Sequence, residues 1–174
     1  MQRMLGLLTA ALLALGSAAP AAAQTPAAEN TFLIHAKTSL KLDDAQICAV
    51  PNVAWAALQK GYRVVILFDA SGVTAIKKGG LFGGDRTPLD KAELPERERR
   101  SLSEQLGVPL ERVPADYGAY VRLLKEKYGV ELYANRTMML LYKIPEDRID
   151  PAVKPVGLAE MIRLFEGANV YVAY

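Results

Sequence analysis

Tyr62-Arg63-Val64-Val65-Ile66-Leu67-Phe68-Asp69 is the stretch on which the fold turns. Its centre, Val64 to Phe68, is apolar without a break and rich in β-branched residues. A strand with one wet face alternates apolar and polar residues. A strand covered by helices on both faces reads as a continuous apolar run. The stretch is therefore read as a central strand of a parallel sheet, and Ala70-Ser71-Gly72-Val73 as its tight exit. Upstream, Thr31-Phe32-Leu33-Ile34-His35-Ala36 has the same character. Between the two, Asp43 is placed to cap a helix, with Gln46 three residues on as a variant of the capping box. Ile47, Val50, Ala54 and Leu58 follow at helical spacing, and Gly61 supplies a C-cap. Pro51 interrupts that helix and is expected either to kink it or to open a second piece. Strand, helix and strand within about forty residues make a βαβ unit, whose crossover is right-handed.

The same units continue downstream. Glu96 to Leu106 reads as a charged helix with a solvated face. Asp116 caps the next helix, where Tyr117, Tyr120, Val121, Leu124 and Tyr128 form an apolar stripe, core or oligomer interface, ended by Gly129. Val130 to Ala134 is a third strand, and Thr137 to Tyr142 a short helix. Leu158, Met161, Ile162 and Phe165 mark a last amphipathic helix ended by Gly167, and Val170 to Ala173 closes the chain as a strand. The stretch from Lys77 to Pro95 is irregular. Its glycine run, Gly79 to Gly84, lacks the Gly-Lys-Ser/Thr ending of a phosphate loop. Strands alternating with helices predict an open α/β three-layer sandwich with a mainly parallel sheet.

The amino terminus reads as an export signal. Arg3 supplies a positive start, Met4 to Leu15 an apolar run too short to span a bilayer, and Ala21-Ala22-Ala23 a small-x-small cleavage site. Cleavage after Ala23 would leave a leader, 24–30, and one domain, 31–174, of a size that suits a single core. No later apolar run reaches membrane-spanning length, so no membrane contact is expected after cleavage. A net charge of +2 gives no support for nucleic-acid binding. The expected location is the periplasm. The single cysteine, Cys48, has no partner for an internal disulfide.

Ligands of open parallel sheets sit beyond the carboxyl ends of the strands. Those ends are Ala36-Lys37-Thr38, Asp69-Ala70-Ser71-Gly72 and Ala134-Asn135-Arg136-Thr137. His35 lies at the first, where it is either a hydrogen-bonded strand-end histidine or half of a pair with Cys48. No spacing supplies the three or four ligands of a metal site, and neither metal nor cofactor is expected. Asp69 at the second end either binds a ligand or caps the turn at Gly72. At the third, Arg136 beside a helix start is suited to an anion such as sulfite, thiosulfate or a carboxylate. Asn135 and Thr137 flank it, with asparagine as a helix cap in the plainer reading. Cys48 is either a small buried apolar residue or, in the second turn after Asp43, a thiol lowered by the helix dipole, an effect opposed by Asp43 and Asp44.

Three stretches together resemble the DsrE/DsrF-like family of small sulfur-relay proteins and their exported relatives. They are Gly61-Tyr62-Arg63-Val64-Val65-Ile66-Leu67-Phe68-Asp69-Ala70-Ser71-Gly72-Val73, Lys127-Tyr128-Gly129-Val130-Glu131-Leu132-Tyr133-Ala134, and Gly157-Leu158-Ala159-Glu160-Met161-Ile162-Arg163-Leu164-Phe165-Glu166-Gly167-Ala168-Asn169-Val170. The similarity covers roughly Thr31 to Tyr174. It implies a parallel, five-stranded sheet with helices on both faces and assembly into homo-oligomers, trimers or hexamers. For active members it also implies a cysteine persulfide handed to a partner protein. The reactive cysteine of that family falls near Asn135 here, and an amide cannot replace a thiolate. The leading expectation is thus a binding accessory of sulfur or redox metabolism without the usual catalytic cysteine. The alternatives are a persulfide carrier or sulfurtransferase using Cys48, and a purely structural oligomer.

Overall fold

A computed structural model describes residues 30–79 and 84–174. The expected signal segment, nearly all of the leader and most of the glycine run lie outside the described residues. Among the described residues the chain builds five strands, β1 (Thr31–Ala36), β2 (Arg63–Phe68), β3 (Glu131–Asn135), β4 (Lys154–Val156) and β5 (Val170–Ala173). All pairings are parallel, and the order across the sheet is β4-β3-β2-β1-β5. The chain steps outward from β1 to β4 and then returns to the far side of β1. The strand order therefore reverses between β1 and β5.

Among the described residues five α-helices accompany the sheet: α1 (Asp44–Gln59), α2 (Glu96–Leu106), α3 (Tyr117–Tyr128), α4 (Arg136–Leu141) and α5 (Leu158–Glu166). Period-2 alternation sorts the strand residues between two faces. Ile34, Ala36, Val64, Ile66, Phe68, Leu132 and Ala134 pack under α1, α2 and α3, with Trp55, Leu102, Tyr120 and Leu124 from those helices. Leu33, Val65, Leu67 and Val156 face the other way and meet Met161, Leu164 and Phe165 of α5. Met139 of the short α4 joins the first cluster, so among the described residues one face carries four of the helices and the other carries α5. The tyrosine stripe of α3 is core: Tyr117, Tyr120, Val121 and Leu124 are buried.

The caps form where the sequence places them. The Asp43 side chain accepts from the Gln46 amide and that of Asp116 from the Ala119 amide, while Gly129 ends α3 with φ 72°. α1 runs through Pro51 as one helix, with the ring buried against the core. The exit of β2 is a 3-10 segment, Ala70–Ile76, rather than a bare turn. β4 is an element the periodicity does not show, because it has three residues and one of them is Pro155. Among the described residues, no helix is long and apolar enough to cross a membrane.

Candidate functional site

Three of the residues singled out at strand ends converge. His35, one place before the end of β1, shares a face with Leu33. Asp69 follows β2, and Asn135 ends β3. Each stands an even number of places from a residue of the α5-covered face (Leu33, Leu67, Tyr133), so all three project to that side. Their side chains form a continuous row. Asn135 Nδ2 donates to Asp69 Oδ1 at 2.7 Å, and Asp69 Oδ2 lies 2.7 Å from His35 Nε2. The row ends on a residue not singled out in the sequence. His35 Nδ1 is 2.8 Å from the hydroxyl of Tyr171 on β5.

The backbone holds this row in place. Asp69 Oδ1 also accepts the Ala70 amide at 2.7 Å, which draws Ala70 into the left-handed region at φ 45°. A non-glycine residue there costs roughly 1–3 kcal/mol and persists only when its surroundings hold it. The amide of Gly72 bonds to Lys37 O at 3.1 Å, and Ser71 Oγ bridges Lys37 O and the Ser39 amide at 3.0 Å each. The exit of β2 is thereby tied to the exit of β1. Asn135 Oδ1 accepts the Thr137 amide at 2.9 Å, so the same side chain caps α4 and steadies Asp69.

Burial alone would raise the Asp69 carboxyl. Hydrogen bonds from His35, the Ala70 amide and Asn135 outweigh burial and hold it below the usual carboxylate range. Asp69 is therefore an ionised acceptor with no proton to give. His35 is 6% exposed, and its ring packs against Phe165 and Tyr171 at centroid distances of 5.3 and 5.8 Å. Tyr171 itself is 51% exposed. The arrangement is a partly buried carboxylate, a buried imidazole and a surface phenol in sequence, next to the reversal of strand order between β1 and β5.

The other candidates lie elsewhere. Arg136 makes no bond to the row and pairs with Glu146 at 2.6 Å, both groups half-exposed. Thr137 contributes its amide to the Asn135 cap. Cys48 sits on α1, against the core of the opposite face. The sheet separates it from His35, so the two form no pair. Burial, followed by the Asp44 and Glu98 carboxylates, pushes the Cys48 thiol up to about 11, with the Tyr117 hydroxyl opposing only in part. Among the described residues, no group of three or more His, Cys, Asp or Glu side chains is placed to hold a metal ion.

Tyr171 was missed because a tyrosine in a short terminal strand carries no motif. The signal that could have found it is topological. Once β5 is laid beside β1, Tyr171 stands opposite Leu33, on the face of His35 and two places below it.

No family model and no curated protein matches the chain. Solved structures do. The YchN protein of E. coli superposes with a TM-score of 0.50 at 11% identity, over 84% of this chain and 99% of that one. The shared fold is a five-stranded, all-parallel sheet with helices on both sides. At this identity the likeness speaks for the arrangement of sheet and helices only. A protein of unknown function from Methanobacterium thermoautotrophicum, MTH1491, matches with a TM-score of 0.49 at 12% identity, over 84% of this chain and all of that one.

Proposed function

We propose that this protein is an exported, periplasmic binding accessory of sulfur or redox metabolism, which holds a small molecule or a partner protein at the carboxyl edge of its sheet and carries no sulfur on a cysteine of its own. One observation carries the reading. The three central strand ends pool their polar side chains into the Asn135–Asp69–His35 row, while the chain's single thiol is on the other face, half-buried and pushed up to about 11. Sulfur transfer needs a thiolate. The DsrE/DsrF-like architecture supports the link to sulfur chemistry, and Arg136, free to exchange Glu146 for another anion, supports a ligand such as sulfite or thiosulfate.

The reading includes a homo-oligomer, with a trimer or hexamer implied by the family resemblance. The single helix on the second face supports it. Leu158 and Ile162 on α5 are 54% and 51% exposed, and Leu140 and Leu141 on α4 are 72% and 68% exposed. Exposed apolar side chains of this kind are expected to be covered in an assembly.

The test is a pair of measurements on the mature protein. Thermal shift with sulfite, thiosulfate and small thiols should show stabilisation that weakens in Arg136→Ala and Asp69→Asn. Intact mass after polysulfide treatment should show no sulfur adduct on the folded chain. An adduct that vanishes in Cys48→Ser would overturn the reading in favour of a persulfide carrier.

A further inference from the structure

We propose that Tyr171 is a histidine-activated phenol that takes an acyl group from an activated ester, with His35 as its base. The inference rests on reading this edge as the functional site, and deepens it by naming a reaction. It follows from counting protons along the row. Asp69 is an ionised carboxylate whose Oδ1 is occupied by the Ala70 and Asn135 donors. Its Oδ2 must therefore receive the proton of His35 Nε2. With the ring proton on Nε2, Nδ1 of the neutral imidazole presents a lone pair. The group at 2.8 Å from that lone pair is the Tyr171 hydroxyl, which donates into it. The phenol oxygen keeps its remaining lone pairs for an incoming electrophile.

Exposure sets the nucleophile apart, with the base His35 the most buried of the three at 8% of its side chain and Asp69 next at 14%. Asp69 and His35 lie beneath the surface, and Tyr171 is 51% exposed at the end of the row. Nucleophile hydroxyl, base and orienting carboxylate recur in this sequence wherever a histidine activates a hydroxyl. A phenol gives up its proton to imidazole more readily than an aliphatic alcohol does. Edge-on contacts with His35 and with Phe165, at 5.8 and 6.0 Å, fix the phenol ring in direction.

In the step itself, Tyr171 Oη attacks the ester carbonyl carbon and forms the new C–O bond while its proton passes to His35 Nδ1. Collapse of the tetrahedral adduct breaks the ester C–O bond. The imidazolium returns the proton to the departing alkoxide. The products are an acyl-tyrosine and an alcohol, with nothing oxidised or reduced. The half-exposed phenol suits small, activated acyl donors.

The test uses the full mature chain and p-nitrophenyl acetate, with peptide mapping to locate acetyl groups and N-acetyltyrosine amide as the reference. Tyr171 should acetylate at least about tenfold faster than the reference at neutral pH, a modest share of what a positioned base supplies. His35→Gln should return it to the reference rate, and Tyr171→Phe should remove the adduct. Asp69 acts as a positioning residue. Asp69→Asn should slow acetylation and shift the nitrogen signals of the chain's single histidine away from the Nε2–H tautomer, with circular dichroism unchanged. Acetylation of Tyr171 at or below the reference rate, or fast acetylation that survives His35→Gln, overturns the inference. If His35→Gln does not fold, the wild-type rate and the histidine tautomer decide. A protein that binds sulfite or thiols but has an ordinary Tyr171 overturns this inference alone, and a fast Tyr171 without such binding overturns the binding reading alone.

Discussion

Replacing Gly72 by alanine should separate the two strand exits that build the row. Gly72 has no positive φ to satisfy; its reason is space. A Cβ at this position would stand 2.1 Å from Ala36 O and 2.9 Å from Ala36 C, both backbone atoms of β1. Ordinary contact begins near 3.4 Å, so the two segments must move apart by about 1 Å or more. Overpacking of this sort costs about 1–3 kcal/mol. The movement also breaks the Gly72 amide bond to Lys37 O and loosens the Ser71 bridge, at about 1 kcal/mol for each bond lost. The sum is about 3–5 kcal/mol, or a fall in Tm on the order of 10 °C for a domain of this size. Thermal and urea unfolding of the purified variant measure it. Gly61→Ala is the control, because a Cβ there meets nothing within 4 Å and only its φ of 79° is penalised, at about 1–2 kcal/mol. A fall in Tm under about 2 °C for Gly72→Ala, or one equal to that of Gly61→Ala, would refute the claim that close approach to β1 fixes this residue.

Other perturbations test the electrostatics. Asp69→Asn should cost about 2 kcal/mol at neutral pH by removing a charge-assisted bond to His35. Because the folded chain holds this carboxyl low, its contribution is complete above the unfolded value near 3.8 and is lost as pH falls through the folded value. The stability gap between wild type and Asp69→Asn, read by urea titration, should therefore narrow below about pH 4. Arg122→Met removes the cation that bridges Asp90 and Asp150, at 2.7 and 2.6 Å, and leaves two largely buried carboxylates facing each other. Arg122 is a third exposed, which reduces the usual cost of breaking a buried pair to about 2–3 kcal/mol. Burial alone would raise the Asp90 carboxyl, but Thr87 and Arg122 outweigh it and hold the group low, so the loss should shrink as pH falls through its folded value. Cys48, pushed up to about 11, should react with an aromatic disulfide at least about tenfold more slowly than a free thiol at pH 8, and speed up on denaturation. Charging the α5 face with Ile162→Glu should lower the oligomer mass in light scattering without loss of helix content.

Much of the architecture is legible because the signals are local and strong. The apolar run of β2, the Asp43 and Asp116 caps and the Gly129 stop each act within a few residues, and each element forms within one or two positions of where its sequence places it. Pro51 was ambiguous for a physical reason. Loss of one amide donor and a steric push are small against the burial of Ile47, Val50, Ala54 and Trp55, so tertiary packing keeps the helix whole. β4 was invisible because three residues cannot show a period, and Lys154-Pro155-Val156 is held by its pairing with β3 and by the burial of Val156 beside α5. The irregular stretch after Lys77 is organised by contacts distant in sequence, such as Lys77 against Ile149 and Glu93 against Asp116.

The site was legible to a different degree. Strand ends point to where ligands gather, which brings His35, Asp69 and Asn135 into view without saying that they touch. Contact requires two further facts: the strands adjoin in the order β3-β2-β1, and the three residues share a face. Parity settles the second, and it is countable in the sequence. His35 stands two places from Leu33, Asp69 two from Leu67 and Asn135 two from Tyr133, all members of the α5-covered face. The same count separates Cys48 from His35 only once α1 is assigned to the other face, a fact of handedness rather than of pattern. Tyr171 needs one step more, the return of the last strand to the far side of the first. A terminal strand of four residues is weak evidence for itself, yet in a sheet whose order reverses there it brings Tyr171 to His35. Aromatic or titratable residues in such a returning strand belong among the candidates from the start, because the topology places them beside the end of β1.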